Sequence, residues 1–564
     1  MRLRGIILFI GLFLGACIVM PKPKDNTKRV HLVHADSLFH NIRVNREAQI
    51  LVKKQRQVEF EHDGITLVCD SALFYQSSNR FDAFGNVFMN QGDTLTLTAD
   101  TLYYDGELRL ARARAATPDN VVLTHVSTVL YCDSLNYDRI SELGYFFGPR
   151  GGRMTDHDNE LTSYDGEYSP VTRVASFTNE VRLHNPRSRL ESDILRYNTS
   201  SGMAHVVGPS DIYNGESNHI YTEDGYYDTQ ADTALLLPGL QRSWVSNGKG
   251  RTIVGDTLRY AAAGKISRAY SDVIYTDDVN KNMFTGNYAY YCDSLGYCMA
   301  TDSAVCMDFS QADTFYVHAD TFKLLTYDIR TDSVWRELRA YNHVSAYRRD
   351  MQAVCDSLVY ISRDSCLTMY KDPILWQNGQ QLLGEEIKAW NNDSTLDSTY
   401  VIRQALSVER LDSLCYNQVE GNLIRSFFKN GEMYLTHVTG NVILNYYPYD
   451  SDSLMIGMLH AESTDLKLFM AERKVERIWM PATEGTLHPL ALVPKSERFL
   501  STFQWFDYCR PKSKDDIFNW RPKKEGTGLK VQVQRKPPRQ RLGNQQTNTP
   551  QLSSRQQSQQ QAEQ

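Results

Sequence analysis

From about residue 30 to residue 500, apolar and polar residues alternate one by one. In LTADTLYY (97–104), Asp100, Leu102 and Tyr104 stand at i, i+2 and i+4, the spacing that puts side chains on one face of a strand. An amphipathic helix needs apolar residues at spacings of three and four, and no stretch of the body shows them convincingly. Turn formers such as DGE, SSNR and AAGK separate the alternating stretches. The pattern predicts strand–turn–strand–turn, repeated many times.

The repeat is written into the residues. VCDSALFY (68–75), YCDSLNY (131–137), ESDILRY (191–197), VGDTLRY (254–260), YCDSLGY (291–297) and VCDSLVY (354–360) share an acidic residue followed by Leu and Tyr. The acidic position falls at Asp36, Asp70, Asp100, Asp133, Asp165, Asp193, Asp224, Asp256, Asp293, Asp320 and Asp356, ten intervals over 320 residues, a mean of 32. A fixed period of this size marks a repeat architecture. Each unit has a second strand-like part, such as FGNVFM (84–89), TNEVRLH (178–184) or TGNVILNYY (439–447). The predicted fold class is all-β: a long β-jellyroll or β-solenoid of stacked, bent antiparallel strands, without a membrane barrel.

The residue before the acidic position is usually small: Ala35, Cys69, Ala99, Cys132, Ser192, Gly255, Cys292, Ala319, Cys355. Small side chains there let a neighbouring rung or a facing sheet pack closely, and Cys serves as a small hydrophobe. A disulfide framework is the alternative, with Cys292 and Cys298 the pair to check. By alternation the Asp shares a face with Leu and Tyr. A carboxylate in an apolar interior is costly unless bonded, so it reads as a residue at a bend that accepts backbone N–H bonds. A calcium ladder needs several oxygen ligands close together, and one Asp per 32 residues is too sparse.

Composition adds the two ends. Residues 1–20 read as a signal peptide: Arg2 and Arg4 precede an apolar run from Ile6 to Ala16. Leu14-Gly15-Ala16-Cys17 resembles a lipobox, which makes Cys17 a candidate for lipidation and membrane attachment; an incidental Cys in a plain signal is the alternative. From Arg510 onward 12 Lys/Arg face 4 Asp/Glu, a tail of +8, so the body carries −6 − 8 = −14. An acidic body argues against a nucleic-acid partner. The organisation expected is repeats over 30–260, further repeats over 261–480, a C-terminal cap over 481–511 and a disordered, basic, Gln-rich tail over 512–564.

Catalytic signatures are missing from the sequence. There is no HExxH, no GxSxG, no phosphate loop and no zinc-like Cys/His spacing, so neither metal nor cofactor is expected. Asp-rich chains contain carboxylate pairs everywhere, which leaves a carbohydrate-active β-helix enzyme as a third reading.

Phe84-Gly85-Asn86-Val87 followed by Leu97-Thr98-Ala99-Asp100-Thr101-Leu102-Tyr103-Tyr104 resembles the organic-solvent-tolerance (OstA-like, LptA-type) lipopolysaccharide-transport family, and so does Thr439-Gly440-Asn441-Val442-Ile443-Leu444 followed by Leu459-His460-Ala461-Glu462. The resemblance covers roughly 30–500. It implies a jellyroll of V-shaped strands whose apolar inside holds lipid acyl chains. It also implies a periplasmic location, no enzymatic activity, and lipopolysaccharide and other transport proteins as partners, the latter joined end to end by edge strands. The inward residues expected to meet lipid are Leu102, Tyr104, Leu135, Tyr137, Leu195, Tyr197, Leu258, Tyr260, Leu295, Tyr297, Leu358 and Tyr360. If that interior is filled, the chain is instead a structural or adhesive solenoid.

Overall fold

Single alternation folds as expected into antiparallel strands; long strands pair with their sequence neighbours, while short ones skip a strand or two, as Val121–His125 does to pair with Leu95–Asp105 and Ser134–Asp138 to pair with Leu110–Arg114. The computed structural model describes residues 29–533, apart from 41–45, 93, 216–217, 330, 378, 393–394, 451, 453, 473 and 482–483. Cys17 and residues 534–564 lie outside the described residues. Forty strands and a few single-turn 3₁₀ segments make up the described chain. Among the described residues no helix is long and apolar enough to cross a membrane. The chain divides into two compact units at Val279–Asn280.

Within each unit the strands bend in the middle. Strand Arg80–Gln91 pairs with Leu95–Asp105, but the register breaks: Phe84 faces Thr101 and Val87 faces Ala99, so Gly85 and Asn86 stand opposite Asp100 alone. Two residues against one is a bulge, and a bulge bends a strand. Gly85 and Asn86 have φ of 74° and 45°. The same paired positive φ recurs at Asn179/Glu180, Ser271/Asp272, Asp302/Ser303, Asn342/His343, Arg403/Gln404 and Gly440/Asn441. Gly, Asn and Asp are the residues that enter this region at least cost, which accounts for the Gly-Asn of the repeat.

Each bend separates two limbs, here called upper and lower. In the first unit the upper limb contains 58–69, 87–99, 121–132, 152–163, 181–192 and 210–222; the lower contains 71–84, 101–114, 134–146, 165–178 and 194–207. Their inner faces meet. Phe60 of the upper limb stacks on Phe81 of the lower with ring centroids 4.2 Å apart. Phe146, Phe177, Leu195 and Leu258 are likewise buried.

The bend corrects one expectation. The repeated Asp does not share a face with Leu and Tyr. Ala99 and Leu102 are both buried while Asp100 and Thr101 between them are not. The bulge shifts the alternation by one residue, so the small residue before the Asp points inward and the Asp stands at the outer corner. There Asp100 accepts the N–H groups of Ala116 and Thr117 at 2.5 and 3.3 Å and the Asn120 amide at 2.6 Å. Asp36 accepts three N–H groups, from Lys54, Gln55 and Arg56, at 2.6–2.8 Å. Among the described residues the cysteines, Cys292 and Cys298 included, form no disulfide.

The C-terminal stretch also departs from expectation. Of the cap proposed for 481–511, Glu484–Pro489 forms the last upper-limb strand, and the chain then turns back along the outside of the second unit. The tail does not become a solvated coil at Arg510. Ile517 is 1 % exposed, the Phe518 ring lies 4.9 Å from His318, and the Trp520 ring lies 5.1 Å from His343. Apolar side chains in an otherwise basic segment hold it to the sheet as far as Gln532, whose amide donates to Gly421 O at 2.8 Å.

Candidate functional site

The interior between the limbs is where the sequence places its candidate lipid contacts. Leu102, Leu135, Leu195 and Leu258 are fully buried, and Tyr104, Tyr137, Tyr197 and Tyr260 nearly so. All eight belong to the lower limb of the first unit and point inward. Leu358 and Tyr360 occupy the same positions in the second unit. Leu295 does not. YCDSLGY closes as a single 3₁₀ turn at Asp293–Leu295, capped by Gly296 in the left-handed region, and Leu295 is 68 % exposed. Tyr297, only half-buried, begins the next strand. The motif is the same, but here it falls in the turn that joins Asn282–Cys292 to Tyr297–Asp308, and Gly296 supplies the left-handed residue of that turn.

The buried tyrosines of the first unit do more than fill space. Their hydroxyls reach the free end of the opposite limb. The Tyr104 hydroxyl lies 2.8 Å from His62 Nδ1, and the Tyr168 hydroxyl 2.8 Å from His125 Nδ1. Tyr197 donates to Asp156 Oδ2 at 3.0 Å and accepts from Asn159 at 2.9 Å; Asn218 donates to the Tyr260 hydroxyl at 3.0 Å. Arg139 Nη2 adds a bond to the Asp63 carbonyl at 2.8 Å, and Asn214 one to Asp232 at 2.5 Å. A polar row thus ties the limb ends together over a packed apolar core. Burial, with the Asp156 carboxylate beside it, pushes the Tyr197 phenol well up, so it stays a neutral donor.

In the second unit the limbs part. Between them lies a hollow of about 120 Å³. Cys306, Phe315, Val317, Ala346, Met351, Ala353 and Leu375 line it from the upper limb, and Leu338, Leu358, Tyr360, Leu367, Met369, Ala389 and Leu396 from the lower. Asp308, Gln311, Asp313, Arg348 and Asn391 add polar groups where the limbs end. Arg348 is held there by Asp350 at 2.7 Å and Gln311 at 3.1 Å. A smaller hollow of about 40 Å³ follows between the same limbs, touching Val419, Ile424, Leu444 and Leu468. The Cys306 and Cys355 thiols are pushed up by burial, which leaves them unreactive packing groups. No group of three or more His, Cys, Asp or Glu able to hold a metal occurs among the described residues.

Most residues of the larger hollow were not singled out from the sequence. One signal points to several of them. Where a small residue precedes the Asp it faces inward, so the residues two and four before it do too. From Ala319 this rule gives Val317 and Phe315, and from Cys355 it gives Ala353 and Met351.

Residues 27–193 match the family model described as OstA-like protein. No curated protein matches the chain. Among solved structures, LptH of Pseudomonas aeruginosa is described as the LptA-homologous periplasmic component of a lipopolysaccharide transport device. It aligns at 13 % identity over 24 % of this chain and 76 % of its own, with a TM-score of 0.13, and no argument rests on it.

Proposed function

We propose, for a chain that is OstA-like over residues 27–193, that it binds lipopolysaccharide in the periplasm and carries its acyl chains between the limbs towards the outer membrane. The observation that supports this most is the apolar hollow of the second unit. The family match lies in the first unit and the hollow in the second, but both units use the same bent strand and the same corner bulge. Each methylene removed from water is worth about 0.8 kcal/mol, so an acyl chain gains from entering a cleft lined by Leu, Met, Ala and Phe. Such a site works by shape and apolarity, as a binding rather than a catalytic site. Leu358 and Tyr360 are the candidate residues that touch the lipid first. Leu102, Tyr104, Leu135, Tyr137, Leu195, Tyr197, Leu258 and Tyr260 meet it only when the polar ties of the first unit open. Other transport proteins would join at the end strands, Lys474–Trp479 and Glu484–Pro489, where Trp479 and Leu487 are exposed.

Photocrosslinking in cells tests this reading. A photoreactive residue at Leu358 is expected to capture lipopolysaccharide, and one at the outward Arg259 is expected to capture none. No capture at Leu358, Leu102 or Leu258 in a folded, exported protein would overturn the proposal and leave a structural or adhesive rod.

A further inference from the structure

The outer face of the upper limb in the second unit is built unlike an ordinary solvent-facing sheet. Val354, Ile374, Trp376, Leu383, Leu406, Val408 and Ile443 form an apolar surface there, and Leu500, Phe506 and Cys509 of the C-terminal segment cover it. Strand Ile374–Gln377 is buried at all four positions, one face by the hollow and the other by this segment.

A row of side-chain amides crosses the same face. Gln418 accepts the Leu500 N–H at 2.9 Å and donates to the Arg498 carbonyl at 2.9 Å. Gln381 accepts the Phe506 N–H at 2.7 Å and donates to the Gln504 carbonyl at 2.9 Å. Gln352 accepts from Arg510 Nε at 2.7 Å, and Asn445 donates to the Glu497 carbonyl at 2.7 Å. Each of the two central glutamines thus does for the segment what a neighbouring strand's backbone would do: it pairs the carbonyl of one residue and the N–H of the residue two further on. Glu420, buried at 3 % exposure, accepts from Thr502. Buried amides on an apolar face are costly when unpaired, so this face requires an extended peptide across it.

We propose that this face is a peptide-recognition track, and that the partner it fits is the 497–533 segment of a second copy of this chain. The segment is held by side-chain amides and inserted apolar side chains. It is joined to the last strand by a short link in which Ala491, Leu492, Lys495 and Ser496 are exposed and Val493 alone packs down, against Tyr447 and Met458. A terminal segment docked through its own side chains and joined by a short, mostly exposed link is an arrangement that allows identical elements to be exchanged between copies. In one molecule the tether holds the segment at an effective concentration in the millimolar range, so the chain's own segment wins until copies are crowded or the tether is cut.

The test uses the full-length chain with a protease recognition site inserted between Lys495 and Ser496, and a fluorescent peptide of residues 496–533 standing for the second copy's segment. After cleavage, the resident segment is expected to stay bound through gel filtration and the labelled peptide to replace it. The double variant Gln381→Ala/Gln418→Ala should exchange at least ten times faster. The uncleaved chain should take up at least a hundred times less peptide at equal concentration. A cleaved protein that keeps its strand circular dichroism but takes up no peptide overturns the proposal. Loss of that signal on cleavage overturns it too, because the segment is then part of the folding core rather than its ligand.

Discussion

At the residue scale, the repeated Asp and the repeated Tyr divide the work between the outside and the inside of the bend. Four of the repeated carboxylates, Asp36, Asp70, Asp100 and Asp356, are held below the usual carboxylate range. The causes are the backbone N–H of Gln55 at Asp36, the Lys53 side chain at Asp70, the Ala116 N–H at Asp100 and the Ser357 hydroxyl at Asp356. A folded pKa below the unfolded one contributes stability that is present above about pH 4 and is lost as pH falls through the folded value. The urea midpoint should therefore fall below about pH 4, and Asp100→Asn should flatten that fall. These four groups are half-buried at the surface and each effect is small; the slope is their sum. On the inside, Tyr197→Phe takes the hydroxyl donor from Oδ2 of Asp156, 1 % exposed, while Ser127 and Thr128 still donate to its Oδ1. That should cost about 1–3 kcal/mol, read as a lower urea midpoint at unchanged m. Tyr226→Phe, on the exposed face, should leave the midpoint where it is.

At the scale of the element, the bulge decides which side chains face inward. Deleting Asn86 removes one of its two unpaired residues and turns Val87 and Met89, both buried, outward. That variant should fail to give a cooperative unfolding transition. Gly85→Val keeps the register but forces a β-branched residue to φ 74° with its Cβ 3.2 Å from Asp70. It should fold with a stability lower by about 1–3 kcal/mol. The strands, their period and the inward Leu-x-Tyr are legible in the sequence, because alternation and turn formers are local. The outward Asp is not, since strict alternation puts Asp100 beside Leu102; only pairing with Gly85-Asn86 shows the shift. Leu295 misleads for a related reason, because the glycine that follows converts the motif into a turn.

At the scale of the whole molecule, the two units share one construction and differ in how their limbs meet. In the first, tyrosines tie the limb ends over a packed interior. In the second, a hollow separates them and the C-terminal segment braces the outside. Ala353, 4 % exposed, lines the hollow from the upper limb. Ala353→Phe should fill much of it at a cost of about 1–3 kcal/mol, and should abolish crosslinking at Leu358 while the strand circular dichroism persists.

By itself the sequence determined an all-β repeat of 32 residues, the inward leucines and tyrosines, and the resemblance to OstA-like proteins. Those follow from neighbours in the chain and from a period that survives degeneration of single copies. Tertiary structure decided the side of the bend on which the Asp stands, that the limbs of the second unit part around a hollow, and that residues 497–533 lie on the sheet. Each of these depends on partners far apart in sequence: Gln381 meets Phe506 across 125 positions and Gln418 meets Leu500 across 82. Side-chain amides that bind a distant backbone leave no periodic trace, so a Gln on a sheet face reads as solvent-exposed until the segment that covers it is seen in place.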